Sequence, residues 1–245
     1  LTEGKNRLLR PGEGRTIMLG AGYPMPYTQY DKLAEKKFAA SLGLRVAKVY
    51  RVLSYPSQLL ECKDELPESF VIKPIGSGHS VGVHICRNGM DIKKNRAFNF
   101  RQVVEDLEEL VDVGGSWHNG HFFHWNLSKF IVEEMVVDEF DRYPPPDYKF
   151  SVCGEKILFI WSVEDYPLTL DVDEDFQRSP HASCSRPAPL QMHRKPTCWK
   201  ELVKTAKHAG RMFNMYLRVD LYASKTGICC DRALFECVRG SWVVS

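Results

Sequence analysis

No run of apolar residues in this 245-residue chain approaches the roughly 18 that cross a bilayer as a helix. The opening LTEGKNRLLRPGEGR also lacks the hydrophobic stretch that a signal peptide carries behind its basic residues. A soluble protein with no membrane span is expected. Charge of one sign is missing too: Lys and Arg total 33 against 31 Asp and Glu, a formal +2, so there is no basic excess of the kind nonspecific nucleic-acid binding needs. Nucleic acid is therefore not an expected partner. Cysteine is sparse: the 8 present are too few for a disulfide scaffold, and the adjacent pair Cys229 and Cys230 suits neither a metal clamp nor a simple bridge. Reduced thiols and a cytoplasmic location are expected, with room for an upstream segment, since the chain has no initiator Met. What the chain does have is a globular composition, 44% hydrophobic and 26% charged. Its length allows one continuous core or two small lobes.

Local patterns give the organisation. Residues 1–30 read as an arm without periodicity. DKLAEKKFAASLG places Leu33, Phe38 and Leu42 near one helical face and stops at Gly43. LRVAKVYRVL reads as a strand, and FVIKPIGSGHSVGVHIC as strand, glycine-rich loop, strand. Asn99 caps a helix to residue 113 that Gly114 and Gly115 end. FIVEEMVV reads as a buried strand, and DYKFSVC and KILFIWSV as a hairpin about Gly154–Glu155. Residues 164–196 read as a long loop, followed by a helix with Trp199, Leu202, Ala206 and Gly210 on one face. YLRVDLY alternates strictly, with Arg218 and Asp220 on one side, and ALFECV reads as the last strand. Helices between antiparallel strand pairs predict an α+β fold in two lobes, residues 31–132 and 133–245.

Three groups of residues carry candidate chemistry. Lys73 ends an apolar strand beside Gly76, Ser77, Gly78 and Ser80. Small loop residues let backbone N–H groups approach phosphate, and a lysine supplies a compact charge beside them. The spacing is not that of a P-loop, and an ordinary hairpin is the plain alternative. Asp220 and Glu236 lie on successive strands where carboxylates could hold Mg²⁺, whereas a tight hairpin at Ser224–Gly227 would bring Asp231 opposite Asp220 as the rival ligand. His118, His121 and His124 in WHNGHFFH read as packed or solvated histidines rather than as a zinc site. Cys62, Cys86, Cys153 and Cys237 sit in or beside apolar strands and are expected to be buried.

Taken in register, DKLAEKKFAASLGLRVAKVY, FVIKPIGSGHSVGVHI, FIVEEMV, DYKFSVCGEKILFI and LRVDLY resemble the ATP-grasp superfamily, most of all its TupA-like branch, associated with polymer and teichuronopeptide biosynthesis. The resemblance runs from about Tyr30 to Ser241. It implies two α+β lobes with mainly antiparallel sheets that hold ATP and Mg²⁺ (or Mn²⁺) between them. By position, Lys32 and Lys73 resemble the phosphate-contacting lysines, and Gly76, Ser77, Gly78, His79 and Ser80 the loop that closes over the phosphates. Glu133, Glu134, Met135 and Val136 resemble the linker along the adenine edge. Lys149 and Arg218 resemble cleft-facing contacts, which with Lys73 make the candidate catalytic set. Asp220 and Glu236 match the metal-ligand strands provided that GICC lengthens the loop between them. The resemblance implies an ATP- and Mg²⁺-dependent carboxylate–amine ligase working through an acyl phosphate, with an unidentified acid and amine of the peptide or cell-surface-polymer-precursor class. The alternatives are a kinase of a small molecule or glycan, and a nucleotide-binding protein without catalysis.

Overall fold

Asp31 accepts hydrogen bonds from the N–H groups of Leu33 and Ala34, at 3.1 and 2.9 Å, and so starts α1 (Lys32–Ser41). Gly43, at φ +73°, lets the chain leave the helix. The computed structural model describes residues 17–18, 24–25, 31–78, 80–118, 121–124, 126–163, 169–179, 194–213 and 216–234. Two short strands, β1 (Ile17–Met18) and β2 (Pro24–Met25), pair ahead of α1. The strand expected at LRVAKVYRVL is shorter, β3 (Val49–Leu53), and is followed by the single-turn α2 (Gln58–Cys62). The glycine-loop segment gives β4 (Phe70–Gly76) and β5 (His84–Arg87), then β6 (Met90–Asp91) and β7 (Arg96–Ala97).

The Asn99 side chain caps α3 (Phe100–Val113), and Gly114 at φ +68° ends it. A ribbon of β8 (Gly115–His118) and β9 (His121–His124) pairs His118 with His121 in register, and β10 (Asn126–Glu134) follows. The first sheet runs β3-β10-β4-β5-β6-β7 and is antiparallel throughout. Phe130, Ile131 and Val132 at its centre are fully buried, and the face packed on α3 forms a core with Leu59, Phe70, Ile72, Val103 and Leu107.

The second sheet, order β13-β12-β11-β14-β15, comprises β11 (Asp147–Cys153), β12 (Lys156–Val163), β13 (Thr169–Val172), β14 (Tyr216–Ser224) and β15 (Gly227–Leu234). Behind it lies α4 (Trp199–Phe213), whose buried Trp199 ring meets Phe176 at 4.7 Å and Tyr148 at 5.5 Å. The expected α+β class with two antiparallel sheets is the one observed. The division expected at 132/133 falls inside β10. Helix α1 shares its core, through Phe38, Ala39 and Leu42, with the second sheet rather than the first. Among the described residues no helix is long and apolar enough to cross a membrane.

One strand differs from expectation. Ser224 pairs with Gly227, so GICCDRAL is itself the last strand, and the turn before it is tight. GICC therefore does not lengthen a loop. Glu236 and Cys237 lie outside the described residues.

Helix α4 passes so close to the β11–β12 turn that a Cβ on Gly210 would stand 2.1 Å from the Gly154 carbonyl oxygen and 2.8 Å from Val152. Gly210→Ala is expected to lower unfolding free energy by about 1–3 kcal/mol through overpacking, outweighing the roughly 1 kcal/mol that alanine gains in helix propensity. Denaturant titration checks the sign, and a more stable variant would refute the close approach.

Cys86, Cys229 and Cys230 are buried, and burial pushes their thiols up, Cys229 to about 11. Cys62 is half-buried. Cys153, expected inside, is exposed, because the strand ends there at the turn through Gly154. A thiol reagent on the native protein should modify Cys153 early and leave Cys86, Cys229 and Cys230 untouched until unfolding. Mass spectrometry of timed samples reads this out, and early labelling of Cys229 or Cys230 would contradict it.

Candidate functional site

The buried face of α1 is not wholly apolar: Lys32, Glu35 and Lys36, one helical turn apart, are buried with Phe38 and Ala39. Lys32 reaches β4 and the loop after it, Lys36 reaches β10, and Glu35 faces Arg232 on β15. Lys32 donates from Nζ to the Pro74 carbonyl at 2.9 Å and to the Ser77 carbonyl, so it ties α1 to the base of the glycine loop. Burial, then the charges of Lys73 and Arg232, push its pKa down to about 7. Lys36 faces Glu133 at 3.0 Å, and Glu133 also holds Lys73 at 2.6 Å. Lys73 and Glu133 sit diagonally across the β4–β10 pairing, where Lys73 is opposite Ile131 and Val71 opposite Glu133.

The second sheet supplies the opposite wall. Its register runs Asp171, Trp161, Lys149, Asp220, Arg232 across five strands, so these side chains share one face. Arg218 grips Asp220 with two hydrogen bonds, at 2.9 and 3.1 Å. Lys149 lies 3.6 Å from Asp220, pairs with Asp147, and stands over the Trp161 ring at 5.2 Å from its centroid.

The β14–β15 pairing then slips. Leu221 is opposite Cys230 and Asp220 opposite Arg232, which leaves Asp231 as an extra residue in a bulge. The bulge aims Asp231 across the cleft to Lys73, 3.4 Å away, and joins the two sheets. Burial alone would raise the Asp231 carboxyl, but Lys73, Lys36, Arg232 and Lys149 outweigh it and hold the group well below the usual range. Burial would likewise lower Lys73, and Asp231 with Glu133 outweighs it in the raising direction.

The expected site residues divide as follows. Lys32, Lys73, Glu133, Lys149, Arg218 and Asp220 come together in this cleft. Gly76, Ser77, Gly78 and Ser80 form its loop: Ser77 is buried and donates to the Val81 carbonyl at 3.0 Å, and Ser80 takes φ +58°. Glu134 turns away to Arg45 at 2.6 Å, and its N–H donates to the Lys48 carbonyl at 2.8 Å. Met135 is half-buried, and Val136 packs with Ala47, Cys229 and Tyr222 in a small apolar cluster between the sheets. His79 and Glu236 lie outside the described residues. Sequence reasoning missed Glu35, Lys36, Tyr222 and Arg232. The i, i+3, i+4 spacing of Lys32, Glu35 and Lys36 is equally that of a solvated charged face, and Arg232 reaches the cleft only because of the bulge.

The expected Mg²⁺ or Mn²⁺ can be tested against this donor set. Asp220 is faced by Arg218, by Lys149 and, at 4.0 Å, by Arg232; Asp231 is faced by Lys73 and, at 3.8 Å, by Arg232. A cation placed about 4 Å from a fixed guanidinium charge is repelled by about 4 kcal/mol per unit of its charge at an effective dielectric of about 20. Mg²⁺ beside a nucleotide needs only one or two carboxylates, so the cations already set against Asp220 and Asp231 decide the fit. These residues do not fit a divalent ion.

No protein-family model matches the chain, and no curated protein matches it. Solved structures do. D-alanyl-alanine synthetase A from Vibrio cholerae is 16% identical, with 84% of this chain and 54% of that one covered at a TM-score of 0.47. D-Alanine-D-alanine ligase from Helicobacter pylori is 13% identical, covering 84% and 53% at 0.49. A RimK domain ATP-grasp protein from Sphaerobacter thermophilus is 12% identical, covering 83% and 58% at 0.48. The chain spans about half the length of the solved proteins it matches.

Proposed function

We propose that this chain binds ATP between its two sheets, as ATP-grasp proteins do, and uses it to activate a carboxylate for attack by an amine. The observation that carries the reading is the convergence of Lys32 and Lys73 from one wall with Lys149, Arg218 and Arg232 from the other, beside a loop of small residues. Triphosphate is a polyanion, and preorganised cations in a water-poor cleft offset the charge that develops on the transferred phosphoryl oxygens. The Val136, Ala47, Cys229 and Tyr222 cluster offers an apolar seat for a purine. By the resemblance, backbone groups of Glu134 and Val136 would pair with the purine edge. The carboxylate would attack the γ-phosphorus, the bond to ADP would break, and the amine would then displace phosphate from the acyl carbon. Arg218, held rigid by Asp220, is placed to steady the acyl phosphate.

A peptide or polymer-precursor acid and amine in the cytoplasm is the class that the TupA-like resemblance suggests. The test is ATP binding to the full chain, followed by a screen of acids and amines for phosphate release in step with amide formation. Phosphate left on an acceptor would indicate a kinase, and absence of ATP binding would sink the reading. A second reading, nucleotide binding without turnover, is favoured by the arginine between Asp220 and Asp231.

A proton-linkage prediction follows from Lys32. Above about pH 7 its amine is mostly neutral in the free protein, and a phosphate beside it raises its pKa again. ATP binding near pH 8 should therefore take up a proton, and affinity should fall as pH rises from about 7. Calorimetry in two buffers of different ionisation enthalpy measures the uptake. A buffer-independent heat would remove Lys32 from the phosphate site.

A further inference from the structure

We propose that Arg232 occupies the position of a divalent cation between Asp220 and Asp231, so that this cleft takes its nucleotide without a divalent metal. The inference rests on the nucleotide reading above and sharpens it. Strict alternation along β15 would put Asp231 and Arg232 on opposite faces; the bulge puts both into the cleft. The guanidinium then meets carboxylates from three elements. Its Nε lies 3.5 Å from Glu35 on α1, 3.8 Å from Asp231 and 4.0 Å from Asp220.

Those separations are ionic but longer than hydrogen bonds, and Glu35 Oε2 is buried without a hydrogen-bond partner. Arg232 therefore acts on the carboxylates mainly as charge, and its fork of donors can turn to phosphate oxygens. A guanidinium also keeps its charge at any working pH, as a metal does. Arg218, Lys149 and Arg232 already face Asp220, and Lys73 and Arg232 already face Asp231, so both carboxylates are compensated before any metal is added.

The test is calorimetric titration of the full chain with ATP in excess EDTA and again in excess MgCl₂. Affinities within about threefold of each other are expected. Binding that needs Mg²⁺ would overturn the proposal and leave the nucleotide reading standing; absence of binding in both buffers would overturn both. Arg232→Gln, if its unfolding midpoint shows it folded, should bind ATP at least about tenfold more weakly in EDTA and regain affinity on adding Mg²⁺. Arg232→Lys should keep more of the EDTA affinity than Arg232→Gln. A folded Arg232→Gln with unchanged affinity in EDTA would also overturn it. The wild-type comparison stands whether or not either variant folds.

Discussion

Glu133→Ala is expected to lose about 3–5 kcal/mol of unfolding free energy, the cost of leaving a buried charge without its partner. Glu133 is 4% exposed and meets Lys36 at 3.0 Å and Lys73 at 2.6 Å. Lys36 is as deeply buried, and its Nζ makes no hydrogen bond, so the Glu133 carboxylate is its compensation. Domains commonly have about 5–15 kcal/mol in all, so the loss is a large share. The double variant Lys36→Met with Glu133→Met removes both charges and should recover most of the stability, since apolar groups of similar volume often replace a buried pair at no cost. Urea titrations of the single and double variants decide it. A Glu133→Ala protein within about 1 kcal/mol of wild type would show that the lysines rearrange freely.

Lys73→Ala should behave in the opposite way, with binding lost and the fold kept. Its removal leaves Glu133 paired with Lys36 and Asp231 facing Arg232, so neither carboxylate is stranded. What disappears is a cation midway along β4, where the sequence pattern puts it at the strand's end, on the strand that leads into the glycine loop, and Asp231 and Glu133 hold its charge in place. A charge-assisted phosphate contact contributes about 1.5–3 kcal/mol, so ATP affinity should fall by about one to two decades. Circular dichroism and an unfolding midpoint near that of wild type establish the fold, and a nucleotide titration measures the loss. Unchanged affinity in a folded Lys73→Ala protein would falsify the placement of ATP at this wall.

Set side by side, the two variants separate structural from binding electrostatics within one cluster. Glu133 is enclosed by cations that have few other partners, whereas Lys73 is shared between carboxylates that each keep a second one.

Features set by neighbouring residues were legible from the sequence alone. Asp31 and Asn99 cap their helices through their own side chains, and Gly43 and Gly114 end them with positive φ; each depends on a few adjacent positions. The alternation of YLRVDLY put Arg218 and Asp220 on one face, and the run FVIKPIG forms a strand, although Lys73 lies at its middle rather than at its end because the strand runs on through Pro74 to Gly76. What only the tertiary structure decided is which side chains leave water. Lys32, Glu35 and Lys36 have the helical spacing of a solvated charged face, and they are buried because two sheets close over α1. Cys153 follows a buried strand pattern and is exposed because the sheet turns there. Arg232 lies in the cleft because one extra residue in β15 breaks a period of two, and nothing in ICCDRAL marks where the pairing will slip. Backbone preferences act over one or two turns of chain and can be read in order, whereas burial and charge pairing depend on partners as far apart as Glu35 and Arg232, which meet only when the sheets pack.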